Sequence, residues 1–108
     1  MLNVWCAVAR MVADPEIRYS AAGVAVVNFT VAVDNGVYNG EKQTLFARCV
    51  AFEKRAEFIS NYGKKGRLCA VSGKWGQRSY EKDGQKQTVY EVQLSELNFL
   101  DKSEQPAE

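Results

Sequence analysis

The sequence predicts an all-β fold, a five-stranded barrel with one helix between strands three and four, on three observations. Apolar residues alternate with period two over most of the chain. The one stretch with helical spacing falls after the third such run. Asn-Gly and Asp-Gly dipeptides, the strongest short-range hairpin signals, stand between runs.

In order, Val4 to Met11 reads as a first strand, and "ADPEIRYSAAG" as a turn-rich bridge with Asp-Pro and Gly. From Gly23 the run "VAVVNFTVAV" sets Ala25, Val27, Phe29, Val31 and Val33 on one face, with Asn28, Thr30 and Asp34 on the other. "DNGVYNGEKQ" holds Asn-Gly twice and reads as a hairpin loop; Thr44 to Phe52 is the third strand. In "KRAEFISNYGKKG" the apolar positions Ala56, Ile59 and Tyr62 recur at helical spacing, and Gly63 and Gly66 suit its end. Arg67 to Tyr80 is a fourth strand, with Gly73 and Gly76 as bulge or bend points. "EKDGQKQ" is a second hairpin loop, and Thr88 to Leu97 the fifth strand. A helix between strands three and four fits a Greek-key barrel of the OB type, and closure removes the exposed edges that five open strands would leave. Residues 1–100 form this one domain; 101–108, "DKSEQPAE", form a short polar tail.

Composition excludes several functions. The chain of 108 residues contains no histidine, so the commonest general base is missing. No Gly-rich phosphate loop or clustered carboxylates supply a catalytic constellation, and no enzyme is expected. Cys6, Cys49 and Cys69 lack C-x-x-C spacing, which argues against zinc and for three buried free thiols. No metal or other cofactor is expected. No apolar run is long enough to cross a membrane, and "MLNVWCAVARM" lacks a basic start and a cleavage site. A cytoplasmic location is expected. The net charge of +1 is uninformative by itself; removing the acidic last eight residues leaves only a mild positive bias.

The third strand, "TLFARCVAF", carries the functional signal. One parity is Leu45, Ala47, Cys49 and Ala51; the other is Phe46, Arg48, Val50 and Phe52. On burial tendency alone the phenylalanines belong in the core. Arg48 on the same face opposes that, because an unpaired charge is costly inside. Facing outward, the second set forms a strip about 20 Å long at ~3.3 Å per residue. Rings spaced along a cationic surface suit an unpaired polynucleotide, since every base offers a π-face. Lys74, Arg78 and Tyr80 repeat the pattern on strand four, and Lys54, Lys64 and Lys65 flank the helix. The loops add Tyr38, Lys42, Lys82 and Lys86. A protein-docking surface would also be rich in Phe and Arg. Trp75 shares the parity of Cys69 and Val71, which favours core or barrel end, but the glycines beside it could reset parity and turn it to stacking; Trp5 reads as core or subunit contact.

Five segments in order resemble the bacterial-type single-stranded DNA-binding protein family over about residues 3–100: "DPEIRY", "GVAVVNFTVAV", the spacing from Phe46 to Glu57, Tyr62-x-x-Lys65-Gly66, and Gly73 with Arg78 and Tyr80. The resemblance implies an OB-fold homotetramer, a dimer of dimers, that wraps single-stranded DNA without sequence preference in replication, recombination or repair. By position it makes Phe46, Phe52, Tyr80 and, more loosely, Tyr38 base-stacking residues. Arg48, Lys54, Lys64, Lys65 and Arg78 become backbone-contacting cations, with Lys74 joining them from its strand parity. The segment "NVWCAV" offers a pairing edge for a dimer. Ala9 stands where many members have glycine, and Glu53 puts an acid beside the strip. "DKSEQPAE" lacks the long tail with an acidic, apolar-tipped end through which members recruit other proteins. Either this is a tailless form or the tail was left out, and recruitment by that route is not expected. The competing readings are an RNA-binding or primosomal OB protein and an OB-type protein-assembly module.

Overall fold

The computed structural model describes residues 1–101; residues 102–108, and with them nearly all of the expected polar tail, lie outside the described residues. The elements are β1 (Trp5–Met11), β2 (Glu16–Tyr19), β3 (Ala25–Tyr38), β4 (Glu41–Phe52), α1 (Glu53–Tyr62), β5 (Leu68–Lys82) and β6 (Gln85–Phe99). The strands order as β1-β5-β6-β4-β3-β2, and β1 also pairs with β3. Five of them therefore close a ring, β1-β5-β6-β4-β3, which with α1 between β4 and β5 is the OB barrel the sequence predicts.

The sixth strand is a correction. "EIRY", expected within a bridge, pairs antiparallel with the start of β3 from Glu16↔Asn28 to Tyr19↔Ala25. Four residues are too few for periodicity to reveal. The hairpins are also tighter than expected. In both, the ladder runs to a two-residue turn, Asn39-Gly40 and Asp83-Gly84, with positive φ at all four positions. This is the type I′ geometry that continues the strands' twist. The expected loops are thus mostly hairpin arms.

Closure rests on two short seams. β1 meets β3 through Arg10↔Ala32 and Met11↔Val31, and β4 meets β6 in parallel through Cys49↔Val92 and Val50↔Gln93. Between them, β3–β4 and β5–β6 pair over long registers.

Small inward side chains let the barrel be narrow. Ala47, Cys49 and Ala51 face Val27, Phe29, Val31 and Val92 in one buried cluster. α1 closes one end with Ala56 and Ile59, both fully buried; a buried isoleucine contributes about 1.5–3 kcal/mol. At the other end Trp5 and Trp75 pack against the core, edge to face with centroids 5.6 Å apart. Asn3 fastens this lid, donating to the Trp75 carbonyl and accepting from its N–H.

Where β5 pairs β6, the register shifts between Ser72 and Gly73, leaving Ser95 as the extra residue of a bulge on β6. Gly73 answers it: a Cβ there would lie 2.2 Å from the Gln93 carbonyl oxygen. Because the bulge is on β6, the parity of β5 is unbroken, and Trp75 points inward with Cys69 and Val71.

The expectation of three buried thiols needs one correction. Cys49 and Cys69 are buried, whereas Cys6 is exposed on the outer parity of β1 beside Val8 and Arg10. Burial pushes the Cys49 thiol up to about 12 and Cys69 to about 11. Asp101 ties the end of β6 back to the barrel, accepting from the Leu68 N–H and pairing with Arg67 at 3.0 Å. The Arg67 guanidinium also covers the Phe99 ring at 4.0 Å.

Candidate nucleic-acid interface

The parity of β4 falls as the arginine argues. Ala47, Cys49 and Ala51 are buried, while Phe46 and Phe52 are 62% and 46% exposed. Arg48 is exposed between them, and Val50, on the same outward parity, is buried under its neighbours. Directly paired residues share a sheet face. Register therefore extends this face sideways: on β3 it takes in Val26, Asn28, Thr30 and Ala32, opposite Phe52, Val50, Arg48 and Phe46. Beyond β3, Arg18 of β2 lies opposite Val26. Across the β4–β6 seam the face continues through Gln93 beside Val50, then to Lys74, Arg78 and Tyr80 on β5. Strands β2 to β6 thus present one continuous outer surface with Phe46, Phe52 and Tyr80 on it.

The cations fall into three groups. Arg48, Lys74 and Arg78 lie on this face. Lys54 stands in the first turn of α1, in a groove with Phe52, Arg55 and Phe58. Lys64 and Lys65 are exposed at the α1 exit, on a segment held to the β1–β2 connection by the Lys65 N–H, which donates to Asp14 at 2.8 Å. The face does not include them. Tyr38 is also apart. Gly36, at positive φ with its N–H donating to Asp34, lies in a bulge on β3 that resets parity. After it Val37 pairs with Lys42 on the Phe46 side, and Tyr38 pairs with Glu41 on the opposite side of the hairpin.

The two sides of the surface meet at a cleft of about 390 Å³ lined by Arg18, Asn28, Phe52, Arg78, Glu91 and Gln93, among others. At its base Arg78 Nε donates to Glu91 Oε1 at 2.8 Å; the arginine side chain is half exposed and the carboxylate nearly buried. The other ion pair among the described residues is Arg67–Asp101, so Arg48, Lys54, Lys64, Lys65 and Lys74 keep their charges free of carboxylate partners there.

Sequence reasoning missed Arg18, Asn28, Glu91 and Gln93. Ile17 could have fixed the outward parity of Arg18 had "EIRY" been read as a strand. Alternation had already turned Asn28 outward, but its place beside Val50, like the places of Glu91 and Gln93, is set by cross-strand register, which one strand's alternation does not contain. The chemistry of the surface is that of a non-covalent binder: rings for stacking, amides for hydrogen bonding, and cations around them.

Comparison with known proteins agrees with this geometry. The profile of the single-strand binding protein family matches residues 2–100. A protein of Halalkalibacterium halodurans named single-stranded DNA-binding protein is 43% identical over 104 residues, covering 94% of this chain and 62% of that one. A protein of the same name from Bacillus cereus is 41% identical over 104 residues, covering 94% and 61%. The chain thus spans about three fifths of the length of these relatives. Among solved structures, the Plasmodium falciparum SSB in complex with ssDNA superposes with a TM-score of 0.84 at 26% identity, over 94% of this chain and 96% of that one. With its barrel, its outward rings and nearly every described residue inside the match, the chain belongs to the single-strand binding protein family.

Proposed function

We propose that this chain binds single-stranded DNA without sequence preference and protects it during replication, recombination or repair, by stacking and charge alone. The observation that carries this reading is the outer face of β4, where Phe46 and Phe52 stand exposed on either side of Arg48. Bases stack on Phe46, Phe52 and Tyr80; Tyr38, on the other side of its hairpin, is met where the strand wraps round the hairpin's end. Phosphates are met by Arg48, Lys54, Lys64, Lys65, Lys74 and Arg78, and Arg18 joins them from β2. Only unpaired bases offer a face to stack on, so binding melts hairpins by mass action. No step makes or breaks a covalent bond. Residues 1–100 form the binding domain.

β1 bonds β3 only through Arg10 and Met11, so from Trp5 to Ala9 its second edge has no strand neighbour among the described residues. Exposed Val4 and Val8 accompany that edge. It suits pairing with a second copy, and a dimer of such dimers gives a homotetramer. No described helix is long and apolar enough to cross a membrane; acting on bacterial DNA, the chain works in the cytoplasm, on the nucleoid.

The test is a titration of fluorescein-labelled oligo-dT with the mass of the complex measured, against oligo-U of equal length. Salt-dependent binding to oligo-dT by a tetramer is expected. A preference for oligo-U would move the reading to RNA, and no salt-dependent affinity for either would make the aromatic face a protein-docking surface.

A further inference from the structure

Glu91 is a nearly buried carboxylate in the cleft that a strand lying across this surface would cover, and the function above leaves it unused. An anion beside a polyanion's path opposes binding, so its presence calls for a reason. Its geometry supplies one. Arg78 projects from β5 into the same cleft and gives its Nε–H to Glu91, while its side chain as a whole stays half exposed. Register sets Glu91 opposite Gly76, and the missing side chain there leaves the space that the Gln93 amide occupies.

Resting on the reading above, we propose that Glu91 is a positioning residue acting through Arg78. It aims the guanidinium at the strand crossing the cleft beside Phe52, and it cancels that arginine's charge as the strand feels it. Arg78 then contributes directed hydrogen bonds but no net charge, whereas Arg48 and Lys74 each contribute a full one. Affinity at this point of the track is held down, and the strand leaves more readily than the count of arginines implies.

Salt dependence reads this directly, because each phosphate neutralised on a single strand adds about 0.7 to the slope of log K against log salt. Glu91→Gln keeps the shape and an acceptor for Arg78 but gives the pair a net positive charge. The expected result is a slope steeper by about 0.7 with oligo-dT, so that each tenfold dilution of salt tightens binding about fivefold more than in the wild type. The double variant Arg78→Gln, Glu91→Gln leaves no buried charge unpaired; its slope should equal the wild type's while its affinity falls. A wild-type slope in a folded Glu91→Gln protein, or a double variant whose slope drops by about 0.7, overturns the proposal. Should Glu91→Gln fail to fold, the double variant decides alone. Wild-type protein that does not bind oligo-dT would instead sink the function itself, so the two failures are distinguishable.

Discussion

Replacing Phe46 with alanine separates the two jobs a ring on a sheet can do. Phe46 is 62% exposed, opposite Ala32 and two residues from Arg48. Truncating a fully buried phenylalanine costs about 3–5 kcal/mol; with the Phe46 residue 62% exposed, the folding cost is at most about 1–2 kcal/mol, and less because no closed cavity forms. The loss in binding should match or exceed that. Removing one stacking platform costs about 1–3 kcal/mol, which is about a 5- to 140-fold rise in Kd at 1.4 kcal/mol per decade. The assay is fluorescence anisotropy of labelled oligo-dT across a salt series, with thermal unfolding in parallel. Because the ring is uncharged, log K should fall by the same amount at every salt concentration, leaving the slope unchanged. Wild-type affinity in a folded variant would refute stacking at this position. A slope that changed would mean that the ring serves only to support Arg48.

Arg48→Gln should do the converse, flattening the salt slope by about 0.7 with little change in thermal stability; an unchanged slope in the same titration removes it from the phosphate contacts. Gly73→Ala should destabilise by about 1–3 kcal/mol in urea unfolding, since the new methyl meets the Gln93 backbone and forces it to shift; a wild-type midpoint would show that the Ser95 bulge relaxes freely. The Leu68 N–H, then Arg67, hold the Asp101 carboxyl below the usual carboxylate range. Its contribution to stability is therefore present above the ordinary pKa of about 3.9 and is lost as pH falls through the depressed value. Unfolding temperatures from pH 5 to pH 2 should fall more steeply for the wild type than for Asp101→Asn, and parallel curves would contradict this. With Cys49 and Cys69 buried and their thiols pushed up, folded protein at pH 8 should give one rapid equivalent of thiol to Ellman's reagent, from Cys6, and three in denaturant; two or more rapid equivalents would show that the barrel opens.

What the sequence made legible was whatever depends on one strand at a time. Arg48 decided the orientation of "TLFARCVAF" because a charge cannot be left unpaired inside, and Ala47, Cys49 and Ala51 followed inward. Trp75 stayed open between core and stacking until the register put the bulge on β6 and left the parity of β5 intact. What failed depended on pairing. Arg18 was invisible because "EIRY" is too short to declare a strand. Cys6 looked buried because an apolar segment does not say which of its two faces is covered. Tyr38 could not be placed because Gly36 shifts the ladder by one residue, which sends every later side chain to the other side. Glu91 and Arg78 lie thirteen positions apart and meet only through the register of two strands.

The two short seams divide the barrel into a pair of shells: β2, β3 and β4 in one, β1, β5 and β6 in the other. Phe46, Arg48, Phe52 and Arg18 belong to the first shell, and Lys74, Arg78 and Tyr80 to the second. A polynucleotide running over Val50 and Gln93 would bridge the joint like a clasp, so occupancy should resist the parting of the shells and the barrel should be hardest to pry open when it is doing its job.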